Sequence, residues 1–156
     1  MKSPTPTLTR IGALAAIYVV LTVVPPLNAL SYGSVQLRVS EALTVLPFVF
    51  PWAPWGLYLG CIVANMASPF LAWDITIGAA TTLIAGFLTR RMPNALLAPL
   101  PPVVLNALIV STYLSRLLNL PYLSVVLYIG LGEVIAYPLL LWLSRRSRLK
   151  DLLDGE

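Results

Sequence analysis

The chain has 156 residues, of which 58% are hydrophobic and only 10% are charged, and its formal net charge is +4. Its mean hydropathy is +0.86, whereas soluble domains carry about 25% charged residues. A single soluble core of this length has no room for so many apolar side chains. The composition therefore excludes an ordinary soluble domain and predicts an integral membrane protein.

Several kinds of chemistry are excluded by residues that the sequence lacks. With no histidine and one cysteine, Cys61, the chain cannot build a histidine metal site, an intrachain disulfide or a thiolate cluster. We interpret Cys61, which lies in an apolar run, as a packing residue. The sequence has no G-x-x-x-x-G-K-[ST] loop for ATP, and its basic residues do not follow a face that would bind nucleic acid. We therefore expect no metal site, no cofactor in this chain and no nucleic-acid partner.

Six apolar segments, most of them separated by breaks that contain proline, predict an all-α bundle of six membrane-spanning helices in a single domain over residues 1–156. A spanning helix needs about 20 apolar residues. The second segment is shorter, so we expect it to be tilted or to span the membrane incompletely. The predicted helices cover residues 8–24, 37–50, 55–70, 75–89, 95–115 and 122–144.

The positions of lysine and arginine predict the orientation, because short cytoplasmic connections are enriched in these residues. Lys2 and Arg10 precede the first helix, Arg90 and Arg91 follow the fourth, and a basic run at 145–150 follows the sixth. Both termini are therefore predicted to be cytoplasmic. The connections predicted to face outside are 28–37, 71–74 and 116–121.

A cleavable signal peptide is an alternative for the amino terminus. Two basic residues, an apolar run to Val24 and the small-x-small sequence Ala29-Leu30-Ser31 fit that pattern. Cleavage would leave five spans and would invert the charge argument for the amino terminus. We expect the segment to be retained as the first helix.

Small residues spaced four apart mark faces on which membrane helices pack closely. The first helix carries such a pair in Gly12 and Ala16, and longer stripes occur in the third and fourth helices. We expect the longer stripes to pack inside the bundle, whereas the first helix is equally suited to contact a separate membrane subunit. The longer stripes are Gly56, Gly60, Ala64 and Ser68, and Gly78, Thr82 and Gly86.

Few polar side chains interrupt the predicted spans, and a charged group at the bilayer centre costs about 2.5–3.5 kcal/mol on insertion scales. Glu133 lies midway through the sixth helix with Tyr137 one turn later, and Asn106 lies midway through the fifth with Tyr113 two turns on. Because no basic residue is predicted at the depth of Glu133, its carboxyl group must be protonated, hydrated or hydrogen-bonded to a ligand. Glu133 is therefore the strongest candidate for a binding residue.

The other candidates are Asn65 in the third helix, Asp74 after Trp73, and Arg38 and Glu41 at the start of the second helix. Each has a structural alternative: Asp74 suits a helix N-cap, Arg38 and Glu41 are spaced to form an ion pair, and asparagines hydrogen-bond neighbouring helices. All candidates fall between the predicted midplane and the outer surface. The sequence therefore predicts a cup that opens outside and binds a ligand, rather than a path across the membrane.

Three stretches of the sequence resemble one known family. They are YGSVQLRVSEALTVLPF at 32–48, GLYLGCIVANM at 56–66 and WDITIGAATTLIAG at 73–86. In these stretches and in its six-span plan the chain resembles the queuosine-precursor transporter (QueT) family, whose members are substrate-binding (S) components of energy-coupling-factor (ECF) transporters. The resemblance runs from residue 8 to about residue 142.

The resemblance implies a non-enzymatic, substrate-binding subunit in the plasma membrane of a prokaryote. Its ligand would be a 7-deazaguanine, either the aminomethyl precursor of queuosine or queuine, or the nucleoside. Uptake would depend on a transmembrane coupling subunit and on two cytoplasmic ATPases, which would use the ATP. Gly12 and Ala16 match the small-residue pattern through which such components contact the coupling subunit.

A 7-deazaguanine has polar edges that the candidate residues complement. Its ring N–H and exocyclic amine form a parallel pair of donors that one carboxylate can accept, and we expect Glu133 to fill this role. Asn106 and Asn65 would bind the remaining polar edges. Tyr137, one turn from Glu133, belongs to the same predicted site.

The aminomethyl group and the ring of the ligand need further partners. Glu41 or Asp74 would bind the cationic amine, with Arg38 holding Glu41 in place, and the sequence leaves open which carboxylate does so. Trp73 and Tyr113 would provide an aromatic surface for the ring. The charged pair at the start of the second helix is thus expected to shape the outer wall of the cup.

Other functions are consistent with parts of the sequence. An S component for thiamine or a flavin would have the same composition, and only the motif of the second helix speaks against it. A stand-alone carrier or channel would need polar groups in the inner half of its spans, where the sequence places none. A membrane enzyme could use paired carboxylates as acid and base, but no nucleophile or phosphate-binding loop accompanies them.

Overall fold

The computed structural model describes residues 5–32, 37–134 and 138, and the regular structure in these ranges is entirely helical. This confirms the predicted all-α fold for the described part of the chain. The helices are α1 (Thr5–Val23), α2 (Leu27–Ser31), a 3-10 helix (Val39–Phe48), α3 (Ala53–Asn65), α4 (Leu71–Arg90), α5 (Leu100–Leu118) and α6 (Tyr122–Glu133).

Two helices in the described ranges are long and apolar enough to cross a membrane. They are α4, with 20 residues, and α5, with 19 residues. Shorter apolar helices cover Thr7–Val23, Val39–Phe48 and Tyr122–Glu133. The six-span count and the cytoplasmic termini remain predictions, since Lys2 and the basic run at 145–150 lie outside the described residues.

The segment predicted as the second spanning helix, 37–50, is a 3-10 helix over Val39–Phe48 with Pro47 inside it. At about 2.0 Å of rise per residue it is roughly 20 Å long. A hydrocarbon core is about 30 Å thick, so this segment is too short to cross it alone. It is preceded by the short helix α2, which the sequence analysis did not predict.

Three predicted helix boundaries are wrong by several residues. Helix α3 ends at Asn65 instead of residue 70, and α4 begins at Leu71, so residues 71–74 are helical rather than a connection. Helix α5 begins at Leu100 instead of residue 95, with proline in its first turn, where the missing N–H has no helical partner to lose.

The small-residue stripes of the third and fourth helices pack inside the bundle, as predicted. A Cβ atom added to Gly56 or Gly60 would lie 3.0 Å or 2.8 Å from the Cβ atoms of Leu14 and Tyr18 on α1. One added to Gly86 would lie 3.2 Å from the Cβ of Pro54. Glycine at these positions therefore lets α1, α3 and α4 approach closely.

The other face of α1 points away from the described bundle. Gly12 and Ala16 are both exposed, and among the described residues nothing lies within 4 Å of a Cβ atom added to Gly12. The buried face of the same helix carries Leu14, Tyr18 and Thr22, one helical turn apart. Helix α1 thus has an inner face that packs in the bundle and an outer face on which Gly12 and Ala16 lie among larger apolar residues.

Helices α4 and α5 each contain one π-helical turn, at Asp74–Gly78 and Asn106–Val110. The two turns contact each other. Each begins with a polar residue that the sequence analysis had singled out, and π-helical turns occur frequently at functional sites. These irregular turns place Asp74 and Asn106 on the inside of the bundle.

Candidate functional site

Polar side chains from the central helices surround a small cavity of about 30 Å³. Its wall combines residues from the 3-10 helix and its N-cap with residues from α3, α4, α5 and α6. The sequence analysis had placed these residues on separate helices, and the structure brings them together. The predicted site residues in the wall are Arg38, Glu41, Asp74, Asn106, Tyr113 and Glu133.

Glu133 and Asn106 face each other across α5 and α6. The amide Nδ2 of Asn106 donates a hydrogen bond of 2.6 Å to Oε1 of Glu133, and the two side chains are buried. The second oxygen, Oε2, is buried and has no hydrogen-bond partner among the described residues. A buried acceptor without a donor costs about 1–3 kcal/mol, so Glu133 offers a strong acceptor to a ligand that brings an N–H.

Asp74 is the centre of a hydrogen-bond network. Ser68 Oγ donates to Oδ2 of Asp74, and the hydroxyl of Tyr113 donates to Oδ1, each at 2.5 Å. Arg38 Nη2 lies 3.6 Å from Oδ2. The two carboxylate oxygens of Asp74 are therefore already engaged by side chains of the protein.

These contacts correct two interpretations of the sequence. Asp74 is not the N-cap of its helix, because α4 begins before it and Phe70 holds that position. Arg38 does not form its ion pair with Glu41, its neighbour in sequence; the ion pair in the described structure joins Arg38 to Asp74. Arg38 points from the N-cap of the 3-10 helix towards α4. Its guanidinium also lies over the ring of Tyr32, 5.7 Å from the ring centroid.

Glu41 is held from the opposite side by α1. The hydroxyl of Tyr18 donates a hydrogen bond of 2.7 Å to Oε1 of Glu41. Tyr18 is fully buried, and Oε2 of Glu41 is buried without a hydrogen-bond partner in the described part of the chain. Tyr18 is not among the residues predicted for the site. The available signal is its spacing of four residues from Leu14 and Thr22, which places its hydroxyl on the buried face of α1.

Asn65 lies behind the cavity wall and does not line it. Its Nδ2 donates to the backbone oxygen of Asp74 at 3.1 Å and to Sγ of Cys61 at 3.2 Å. Cys61, interpreted as a packing residue, belongs to the apolar core and also lines the cavity. Thr82 Oγ1 lies 3.5 Å from the same sulfur, so Cys61 has polar neighbours that its sequence context did not indicate.

Trp73 and Tyr113, the predicted aromatic surface, stack on each other with 5.7 Å between ring centroids and 15° between planes. Tyr113 is buried in the cavity wall, whereas Trp73 is half-exposed. Both also line a second, larger cleft of about 590 Å³, with Arg116 and Tyr122 among its other walls. Tyr113 thus separates the small polar cavity from the larger cleft. Tyr137, the remaining candidate, lies outside the described residues.

Acidic side chains outnumber basic ones in the wall of the cavity. Asp74 is paired with Arg38, and within the described ranges neither Glu41 nor Glu133 has a basic partner within 4 Å. Two buried carboxyl groups, each with one free oxygen, therefore face one small space. This arrangement is complementary to a ligand that carries several N–H donors or a positive charge.

The size of the cavity bears on how such a ligand would bind. A volume of about 30 Å³ holds one or two water molecules and is too small for a two-ring heterocycle. A ligand of that size requires wall side chains to move outwards. Tyr113, which borders the larger cleft, is the wall residue whose displacement would join the two spaces.

Comparison with known proteins identifies relatives of the chain. The family described as QueT transporter matches residues 8–145. A relative from Lactococcus lactis subsp. cremoris (strain MG1363), named Queuosine precursor transporter QueT, is 39% identical over 83 residues, which is 53% of this chain and 48% of the relative. The match thus spans about half the length of that relative. No solved structure matches the chain significantly.

Proposed function

The chain belongs to the QueT transporter family, and from this membership we propose that it captures a queuosine precursor at the outer face of a prokaryotic plasma membrane. The name of the relative in Lactococcus lactis supports this ligand class. The apolar helices and the buried polar cavity support a membrane protein that binds a small polar molecule. In this role the chain is a binding subunit and not an enzyme.

The observation that carries the proposal is the free oxygen of the buried Glu133. A 7-deazaguanine presents a ring N–H and an exocyclic amine side by side, and a carboxylate accepts such a pair. Asn106 donates to Oε1, which keeps a second lone pair, and Oε2 has no partner among the described residues, so each oxygen can accept one of the two ligand donors. A site built to accept hydrogen bonds also rejects analogues that lack the donors, because its buried acceptors are then left unpaired.

Glu41 is the carboxylate that we assign to the cationic aminomethyl group. Asp74 already accepts hydrogen bonds on Oδ1 and Oδ2 and pairs with Arg38. Glu41 has one oxygen free in the cavity wall. An ammonium group would therefore gain a charge-assisted hydrogen bond at Glu41 without breaking an existing network.

Uptake of the ligand requires partners, and we propose the ECF arrangement. A transmembrane coupling subunit would dock on the outer face of α1, where Gly12 and Ala16 are exposed and small residues allow close helix packing. Two cytoplasmic ATPases would then use ATP to drive release to the inside. The chain itself would supply the binding site and the docking face.

Calorimetric binding to the purified full-length protein tests the proposal. The titrants are the aminomethyl 7-deazaguanine and queuine, and the variants are Glu133→Gln and Asp154→Asn, which makes the same charge change in the carboxy-terminal tail. We expect binding of at least one titrant, lost by about tenfold or more in Glu133→Gln and kept in Asp154→Asn. Absence of binding by the folded protein would refute the ligand class, and unchanged affinity in Glu133→Gln would refute the assigned contact.

A further inference from the structure

We infer, on the basis of the proposed function, that Tyr18 is a positioning residue that gives the site its preference for a cationic amine over a neutral ligand. Tyr18 does not line the cavity. It acts through Glu41, whose Oε1 accepts the hydrogen bond of its hydroxyl. Tyr18 would therefore influence the ligand without contacting it.

The hydrogen bond from Tyr18 gives the two oxygens of Glu41 different roles. A tyrosine hydroxyl has one hydrogen to donate, and Tyr18 gives it to Oε1 at 2.7 Å. Oε2 stays without a partner among the described residues while Glu41 itself lines the cavity. The carboxylate is thus held by one oxygen and offers the other.

Tyr18 has little freedom to move. Its side chain is fully buried, and its Cβ lies 2.8 Å from the position that a Cβ on Gly60 would occupy. One turn further along α1, Thr22 Oγ1 and Ser40 Oγ form a hydrogen bond of 2.7 Å. Two hydrogen bonds therefore fix α1 to the 3-10 helix that carries Glu41, and a group held in this way is preorganised for binding.

The neighbouring cation explains why positioning matters for selectivity. Arg38 lies one turn before Glu41, at the N-cap of the same 3-10 helix, and is engaged by Asp74. Without the hydroxyl of Tyr18, the side chain of Glu41 is free to turn towards Arg38, which would neutralise its charge. A cationic ligand would then lose its counter-charge, whereas a neutral ligand would lose little.

The variant Tyr18→Phe tests this inference through a ratio of affinities. Calorimetry gives the dissociation constants of the 7-aminomethyl and the neutral 7-cyano forms of 7-deazaguanine. We expect the aminomethyl form to bind roughly 10-fold to 100-fold more weakly, the scale of one hydrogen bond to a charged group, and the cyano form to change by less than about twofold. Equal weakening of the two ligands, or no change in either, would overturn the role of Tyr18.

Two further variants separate positioning from packing. Leu14→Ala removes a buried side chain from the same face of α1, one turn earlier, and should change the two affinities by the same factor. Glu41→Gln alone should abolish the preference for the amine, and Tyr18→Phe added to it should have no further effect on the ratio. If Glu41→Gln keeps the preference, the inference is wrong even where Tyr18→Phe does not fold.

The same titrations distinguish this inference from the proposed function. If wild-type protein binds the two ligands and Tyr18→Phe leaves the ratio of their dissociation constants unchanged, the role of Tyr18 is refuted. The proposed function then stays in place. Wild-type protein that is folded and binds neither ligand would refute the two together.

Discussion

The hydroxyl of Tyr113 donates to Oδ1 of Asp74 at 2.5 Å, across 39 positions of the sequence. This bond closes the wall between the small polar cavity and the larger cleft, since Tyr113 borders the two spaces. The ring of Tyr113 is supported on its other side by stacking on Trp73. The Tyr113–Asp74 contact is therefore the point at which a ligand would open the site.

Tyr113→Phe should speed ligand association, because it keeps the ring and its stacking but removes the bond to Asp74. We expect an increase of about tenfold or more, the scale of one hydrogen bond to a charged group, in stopped-flow measurements of tryptophan fluorescence. Tyr122→Phe is the matched control, since the hydroxyl of Tyr122 donates to the backbone oxygen of Leu108 in the larger cleft at 3.2 Å. Equal rates in wild type and Tyr113→Phe would show that Tyr113 does not limit access.

Asp74→Asn should strongly destabilise the protein. The substitution leaves the buried Arg38 without its ion-pair partner, and breaking a buried pair costs about 3–5 kcal/mol. Ser68→Ala, which removes one hydrogen bond to Asp74 but keeps the ion pair, should cost less, about 1.5–3 kcal/mol. Thermal unfolding in detergent measures the two effects, and similar Tm values for the two variants would contradict the central role of the ion pair.

Asn106→Ala should weaken ligand binding because it removes the donor that orients Glu133 through Oε1. A loss of about tenfold in affinity is expected for one hydrogen bond to a charged group, measured by calorimetry with the aminomethyl 7-deazaguanine. Asn94→Ala provides the control, since Asn94 is exposed and its side chain accepts only a local hydrogen bond from the backbone of Leu97 in the described structure. Full affinity in Asn106→Ala would mean that Glu133 needs no such support.

Gly60→Ala and Gly12→Ala should differ in stability although they make the same chemical change. The added methyl group at Gly60 meets Tyr18 Cβ at 2.8 Å and the backbone oxygen of Ala15 at 3.0 Å, and overpacking of this kind costs about 1–3 kcal/mol. At Gly12 it meets no described atom within 4 Å. Equal thermal stability of the two variants would contradict the close packing of α1 on α3.

Gly12→Leu should separate ligand capture from docking. The larger side chain projects from the outer face of α1, so calorimetric binding of the ligand by the isolated protein should be unchanged. Co-purification with the proposed coupling subunit should fall, because close helix packing in membranes depends on small residues. Leu8→Ala, a change at another exposed position of α1, is the control. Undiminished co-purification of Gly12→Leu would place the docking face elsewhere.

The sequence by itself determined the class of the protein and the candidates for its site. Its composition required apolar helices, and polar residues are so rare in such helices that each one is a candidate by its position alone. Residue type and position along the chain were enough to make Glu133, Asn106, Asp74 and Glu41 candidates, and the structure shows that they line one cavity. The stripes of small residues in α3 and α4 were likewise recognisable, since close packing in membranes restricts the residue types at the interface.

Only the tertiary structure decided which of these residues are partners. Spacing along the sequence favoured an ion pair between Arg38 and Glu41. The packing of the 3-10 helix against α4 instead places Arg38 beside Asp74, with which it forms the ion pair. The same packing lets Tyr18 hold Glu41 and leaves one oxygen of the carboxylate free. These contacts depend on how each helix is rotated about its axis and on where a π-helical turn shifts its register. Both properties are set by packing against neighbouring helices, so they cannot be read from the local sequence alone.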